Sequence, residues 1–292
     1  MIATVTLNPS LDYIARSETP IQRGVVNRIQ PEKMLAGGKG LNVSLALNAC
    51  HVPNVHYGFL GGGVGGMIAQ AAKAQGVDCD WIAVQGENRI NLKLREVDGD
   101  TATVTELNGT GVSPTEKDTA ALLEKLKQYG KGDTIVLGGS LPKGVQSDYM
   151  AQILAALKPR GACLVVDTSG AALRAALKEK PDWIKPNAPE LQELLGIDAE
   201  INALSIFEYL PPLQTLGLQN LLLSLGGDGA LFYMQGGNYS FCRAPQVQAV
   251  NTVGAGDTLL GAFLAALTQG KPPKDALDFA VHMATEKVAQ QI

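Results

Sequence analysis

Residues 250–263 read VNTVGAGDTLLGAF, with Gly254, Gly256 and Gly261 around a single acid, Asp257, and an apolar run behind it. Glycine amides ahead of a helix offer bare N–H donors and the positive end of the helix dipole to an anion. An acid among them repels that anion unless it does something the amides cannot. Two readings of Asp257 stay open. It is a helix N-cap, worth about 1 kcal/mol. Alternatively it is a general base that takes a proton from a hydroxyl while the amides of Gly254, Ala255 and Gly256 carry negative charge on a transferring group.

Other stretches offer related chemistry. AGGKGLN, Ala36 to Asn42, sets glycines and Lys39 before an apolar helical run, which suits an anion or a sugar hydroxyl as well as a plain helix-starting turn. It is not a Walker A loop, because Gly40 and not Ser or Thr follows Lys39. KPNAPEL, Lys185 to Leu191, places Asn187 and Glu190 at a strand end and helix start, where they suit a phosphate-bound Mg²⁺ held through water, or only a proline-bounded turn. Lys185 joins the nucleotide-binding candidates. SLGGDGALFY reads as a hairpin whose Ser224, Gly226, Gly227 and Gly229 can face a nucleotide. Ser140, in GGSLPKG, ends a predicted strand, where ligands of open α/β sheets bind.

GGGVGG, Gly61 to Gly66, fits the dinucleotide fingerprint, but the acid expected about 20 residues on, at the end of the next strand, is missing: Asp78 and Asp80 precede WIAV instead. It reads as a glycine-rich turn between strand and helix. His51, His56 and His282 adjoin no acid or nucleophile motif and read as surface or satisfied core residues. Cys50, Cys79, Cys163 and Cys242 are too scattered for a zinc or redox pair and read as reduced thiols.

The elements that must position these residues alternate along the chain. Strand-like IATVTL, VHYGFL, TIVLGG, CLVVDTS, WIKPN and NLLLSLG are interleaved with Ala/Leu-rich helical stretches such as GLNVSLALNAC, MIAQAAKAQG and DYMAQILAALK. Such alternation predicts a mostly parallel sheet covered by helices on both faces. Residues 11–33 and 88–107 break the pattern. The second alternates NLKLREV and TATVTEL about a turn at Asp98 to Asp100, a half-exposed hairpin. Polar-alternating strands cannot sit in a doubly covered sheet. They form either a small separate sheet standing over a cleft as a lid, or an edge extension of the main one.

At 292 residues, 46% hydrophobic and 18% charged, the chain reads as globular, not disordered. A net charge of −4 without a Lys/Arg run argues against nucleic acid or an anionic membrane as partner. With no basic-then-apolar leader and no 18-residue apolar stretch, a soluble cytoplasmic protein is expected.

The order of the motifs says more than any one of them. TLNPSLD, AGGKGLN, RINLKL, GGSLPKG, DTSG, KPNAPE, SLGGDGA and NTVGAGD together resemble the ribokinase-like (PfkB) sugar kinases over nearly the whole chain. The resemblance implies a single ribokinase-like α/β domain over 1–292, with a central mostly parallel sheet flanked by helices and a small β-sheet lid. It implies ATP and Mg²⁺ as cofactors, Asp257 as catalytic base, and Gly254, Ala255 and Gly256 as anion hole. TLNPSLD, VNRI, AGGKGLN and RINLKL resemble the branch acting on phosphorylated ketohexoses, the 1-phosphofructokinases and tagatose-6-phosphate kinases, RINLKL leaning to the first. On that resemblance Asp12 and Asn42 bind sugar hydroxyls with Gly38 nearby, and Lys39 and Arg89 hold the substrate's phosphate. A lid-to-lid homodimer is a further expectation. A catalytically silent sugar-phosphate or nucleotide sensor on the same fold is the alternative of another class. Two departures stand out: relatives often carry an acid in the loop after GFLG, and they continue past VAQQI, which puts one wall of the adenine pocket in question.

Overall fold

Buried β-branched and leucine runs fill the middle of the protein. The structure, a computed structural model, describes residues 1–98, 101–248 and 252–289. In chain order the strands are β1 (Ile2–Thr6), β2 (Ser10–Ser17), β3 (Gln30–Gly37), β4 (Asn54–Leu60), β5 (Cys79–Ala83), β6 (Arg89–Asp98), β7 (Thr101–Asn108), β8 (Thr134–Gly138), β9 (Cys163–Asp167), β10 (Trp183–Ile184), β11 (Asn220–Ser224), β12 (Ala230–Tyr233) and β13 (Tyr239–Cys242). The helices are α1 (Lys39–Ala49), α2 (Gly62–Ala74), α3 (Glu116–Leu126), α4 (Tyr149–Leu157), α5 (Gly170–Lys178), α6 (Ala188–Leu195), α7 (Ile206–Leu216), α8 (Ala255–Thr268) and α9 (Pro273–Ala289).

The large sheet runs β13-β12-β11-β10-β9-β8-β1-β4-β5, parallel except where β12 and β13 turn back. Both faces are covered, as continuous apolar strands require. Ala3, Val5, Ile135, Leu137 and Leu221 pack with Met150, Leu173, Leu191 and Leu213 of the helices α4 to α7. Ile2, Val136 and Val165 pack against Val43 and Leu47 of α1, Leu259 and Phe263 of α8, and Leu277 of α9. Strand order reverses beside β1: the chain proceeds to β4 and β5 on one side, and to β8 through β11 on the other. The crevice at the carboxyl ends of strands at such a point is where open α/β sheets bind ligands.

Segments 11–33 and 88–107 form a separate sheet, ordered β3-β2-β6-β7, and not an edge extension. β2 and β6 pair in parallel and the outer strands antiparallel, so Asp12 lies beside Asn91, and Lys93 opposite Glu106. The hairpin of β6 and β7 is as expected, although residues 99 and 100 of its turn lie outside the described residues. One face of this sheet leaves Met34, Ile90 and Leu107 exposed.

Some boundaries differ from expectation. WIKPN contributes only two strand residues, because Pro186 has no N–H to continue a ladder that Lys185 still joins through Val166 O at 3.0 Å. GGGVGG is not a turn but the start of α2, whose N-cap is Gly61. His56 is a satisfied core histidine on one side, its Nδ1 2.7 Å from Thr4 Oγ1, and burial pulls its pKa down to about 3.

Candidate active site

Helices α1 and α8 both begin at the carboxyl edge of the large sheet, and their close crossing sets the site. Gly261, the seventh residue of α8, has no room for a side chain: a Cβ there would stand 2.5 Å from Ala46 Cβ and 2.8 Å from Val43 O of α1. Gly40 in α1 is pressed likewise onto Val5 O of β1. These contacts bring residues 215 apart in sequence together: Asn42 Nδ2 donates to Asp257 Oδ2 at 2.7 Å.

Asp257 is not the N-cap. Gly254 occupies that position with φ +76°, and Asp257 sits in the first turn with its side chain buried. Burial raises its pKa to about 6, with a further push from the nearby Asp167 carboxylate, while Lys185, Asn42 and Lys39 pull the other way. A carboxylate so placed is ionised at neutral pH and basic enough to accept a proton. The first turn leaves N–H groups without intrahelical partners; Ala255 N turns toward Thr252 O at 3.3 Å, whereas the helix ladder begins at Thr258 N to Gly254 O, 2.8 Å.

Behind Asp257 lies a charge cluster of Lys39, Lys185, Glu190 and Asp167, of which the sequence reading assigned all but Asp167. Asp167, the buried last residue of β9, accepts Lys39 Nζ at 2.8 Å and has Lys185 Nζ 3.2 Å from its other oxygen, without hydrogen-bond alignment. Lys39 also reaches Glu190 Oε1 at 3.1 Å. Burial works against its ammonium charge, but Asp167 and Glu190 outweigh that and raise its pKa. Asn187 and Glu190 cap α6 reciprocally: Asn187 N donates to Glu190 Oε2 at 2.9 Å, and Glu190 N to Asn187 Oδ1 at 2.8 Å.

Two cavities flank Asp257. One, of about 620 Å³, is lined by Lys39, Lys185, Asn187, Ser224, Gly226, Gly227, Gly229, and Gly254 to Asp257. Every residue expected to bind nucleotide therefore meets in one place. One of its walls comes from Val281, Ala284, Thr285 and Val288 of α9.

The other cavity, about 1460 Å³, lies between the small sheet and α1, α8 and α9, lined by Asp12, Lys93 and Arg95 on the sheet side and Asn42, Gly254 and Thr258 on the helix side. Asp12 is held by Ser10 Oγ at 2.7 Å, Asn91 Nδ2 at 3.2 Å and Lys93 Nζ at 2.6 Å. Asn91 and Lys93 are further residues that the sequence reading passed over, although both stand in RINLKL with Arg89. Arg89 Nε donates to Asn8 O at 3.1 Å at the root of β6, and its stem is covered by Gly109 and Gly111. Gly38 is the N-cap of α1 beside Thr6, and Ser140 is exposed two residues beyond β8. Gly38, Lys39, Arg89 and Ser140 do not line the larger cavity, and Lys39, expected on the substrate's phosphate, faces the smaller one.

An acid from further along the chain meets the segment after GFLG. Glu87 accepts the N–H groups of Gly63 and Val64 at 3.0 Å each, capping α2, and these bonds lower its pKa. The anion-ready end of that helix is thus filled, which disposes of a dinucleotide there.

Among the described residues no group of three or more His, Cys, Asp or Glu side chains could hold a metal ion unaided. Mg²⁺ does not need one: it keeps its waters and takes one or two carboxylates besides substrate phosphates. Asn187, which lines the smaller cavity, and Glu190, joined to the cavity's Lys39 at 3.1 Å, fit that pattern. No helix among the described residues is long and apolar enough to cross a membrane.

Comparison with known proteins gives the same picture. The profile of the pfkB family carbohydrate kinases matches residues 5–291. The 1-phosphofructokinase of Bacillus subtilis (strain 168) is 35% identical over 302 aligned residues, covering 100% of this chain and 97% of its own. Among solved structures, a putative phosphofructokinase from Staphylococcus aureus superposes with a TM-score of 0.82 at 32% identity, over 99% of this chain and 92% of that one. The tetrameric inhibited form of phosphofructokinase-2 from Escherichia coli superposes with a TM-score of 0.89 at 26% identity, over 98% of this chain and 93% of that one. The chain belongs to the pfkB family of carbohydrate kinases.

Proposed function

We propose that the protein transfers the γ-phosphoryl group of ATP to the free terminal hydroxyl of fructose 1-phosphate, giving fructose 1,6-bisphosphate. The observation that carries this reading is the place of Asp257. It lines the smaller cavity, and its hydrogen-bond partner Asn42 lines the larger, so one carboxylate stands at the junction of two cavities. A donor in one and an acceptor in the other meet there in line. Relatives that are named 1-phosphofructokinase and cover the whole chain support the acceptor.

Asp257 takes the hydroxyl proton, and Asn42 fixes the carboxylate's orientation. The first-turn amides of α8 and the Lys185 ammonium carry charge on the phosphoryl oxygens. Lys185, Asn187, Ser224, Gly226, Gly227 and Gly229 bind ATP. Asp12 and Asn42 hold sugar hydroxyls with Gly38 and Ser140 close to the sugar, and Arg89 turns its guanidinium to the acceptor's phosphate. A divalent cation, Mg²⁺ in this reading, neutralises the ATP phosphates when bound; Glu190 and Asn187 hold it through water. The small sheet acts as a lid that excludes water. Its exposed Met34, Ile90 and Leu107 suit a second copy of the chain.

ADP release measured against fructose 1-phosphate, fructose 6-phosphate, tagatose 6-phosphate and the unphosphorylated sugars tests this reading. Highest kcat/KM on fructose 1-phosphate is the expected result. Preference for tagatose 6-phosphate would overturn the acceptor, and no ADP release with any of them would make the protein a sensor.

A further inference from the structure

We infer that Lys93, and not Lys39, is the lysine that recognises the acceptor's own phosphate. The inference deepens the proposed kinase reading and rests on it.

An acceptor that already carries a phosphate brings a dianion into the cleft, and the side chain that meets its hydroxyls, Asp12, is itself an anion. Left alone, that carboxylate repels the substrate it must bind. Lys93 removes the conflict. Its Nζ lies 2.6 Å from Asp12 Oδ2, and the two side chains are only 12% and 13% exposed, so the pair is held in a largely dry setting where charge acts strongly.

An ammonium has three donors in a roughly tetrahedral array, and Asp12 uses one of them. The remaining two are not taken by Asp12, and Lys93 lines the larger cavity. A group bound to Asp12 through a hydroxyl therefore finds Lys93 donors one atom away, within reach of a phosphate on the neighbouring carbon.

The other lysine lacks this freedom. Lys39 is held by two carboxylates, Asp167 at 2.8 Å and Glu190 at 3.1 Å, and opens on the smaller cavity. Two further cations stand on the same face of the small sheet, Arg95 beyond Lys93 on β6, and Arg16 opposite Arg95 on β2. Arg16 already meets Glu18 at 3.2 Å, and neither arginine touches Asp12. Glu106 lies across from Lys93 on β7, in register but without an ion pair to it, so it does not compete for the ammonium as Asp12 does.

The position makes Lys93 a specificity residue as well as a positioning one. A lysine at the first place only orders Asp12; a lysine that also binds phosphate discriminates phosphorylated from unphosphorylated sugar. The two roles separate in kinetics.

The experiment compares Lys93→Met, Lys93→Arg and Lys39→Met with the wild type, using the best acceptor found in the panel and its unphosphorylated counterpart. A charge-assisted hydrogen bond to phosphate corresponds to about 10- to 100-fold in affinity. Lys93→Met is expected to raise KM for the sugar phosphate by that factor. The KM for ATP should change less than about threefold; both sugars should lose what a less ordered Asp12 costs, the sugar phosphate should lose about 10-fold or more beyond the unphosphorylated sugar, and Lys93→Arg should restore most of that difference. Lys39→Met is expected to act on kcat and on ATP instead.

Equal loss with both sugars overturns the inference and leaves Lys93 as a support for Asp12 alone. An unchanged KM overturns it outright. Should Lys93→Met not fold, reductive methylation of the wild-type protein decides: fructose 1-phosphate should shield Lys93 and fructose should not, and equal shielding by both refutes it. A different best acceptor in the panel would overturn fructose 1-phosphate as the substrate while leaving the Lys93 comparison valid with the sugar phosphate so found. A wild type that prefers unphosphorylated sugar refutes both.

Discussion

Asn42 Nδ2 and Asp257 Oδ2 lie 2.7 Å apart across the crossing of α1 and α8, Asn42 lining the larger cavity and Asp257 the smaller, beside Thr252 and Gly254, which line both. The bond does two things at once. It aims the carboxylate, and by donating to the charged form it opposes the burial that makes that carboxylate basic.

Replacing Asp257 by Asn keeps the shape and removes the base. Turnover should fall by at least about 10²-fold while the protein becomes more stable at pH 7. The sign follows from the pKa, which rises from 3.8 to about 6 in the folded state. The stabilising linkage is present below the unfolded value and lost as pH rises through the folded one, so at pH 7 ionised Asp257 costs on the order of 1–3 kcal/mol. Thermal melts of the two proteins at pH 7 check it; a less stable variant with normal turnover would return Asp257 to a structural role.

The same pKa places the acid limb of the pH profile. The kcat/KM for the acceptor should decline with unit slope below about pH 6. In Asn42→Ala the charged form loses a donor, and the limb should move to higher pH. A limb that stays put, or moves lower, would show that another group titrates.

Arg89→Ala should raise KM for the sugar phosphate by about 10-fold or more and leave that for ATP nearly unchanged. The side chain sits at the root of β6, away from the nucleotide cavity. Comparable effects on both substrates would place Arg89 in the scaffold and not on the acceptor.

Gly261→Val is a test at a distance from the chemistry. The added carbons must displace Ala46 and the Val43 carbonyl of α1, at about 1–3 kcal/mol of stability, and should part Asn42 from Asp257. Urea unfolding and initial rates should fall together. An intact rate in a destabilised variant would mean that the α1–α8 spacing does not set the geometry of the base.

Much of this was legible in the sequence. The alternation of buried strands and helices gave the large sheet, because both-face burial demands unbroken apolar runs, and the polar alternation of NLKLREV gave the second sheet for the opposite reason. The grouping of Lys185, Asn187, Ser224 and the Gly226 to Gly229 turn in one cavity was legible because most of them are tied to a glycine turn or a helix start. Asp167 and Lys93 were not. Each is an ordinary charged residue at a strand position, and only the register of β2 with β6, or the meeting of β9 with α1, gives it a partner. Lys39 carried a clear local signal, but which of two cavities it faced depended on Asp167 and Glu190, 128 and 151 residues away. Helix α7, which the sequence reading left unassigned, carries Pro211 and Pro212 inside it.

Glu87 shows how the chain tells its own helix ends apart. Three helices begin behind a glycine, α1 at Gly38, α2 at Gly61 and α8 at Gly254, and by backbone alone each would attract a phosphate. The ends of α1 and α8 flank Asp257. The end of α2 holds a permanent guest, since a free phosphate would have to displace a carboxylate tethered to the same chain, whose local concentration no solute matches. ATP and sugar phosphate are thereby spared a decoy.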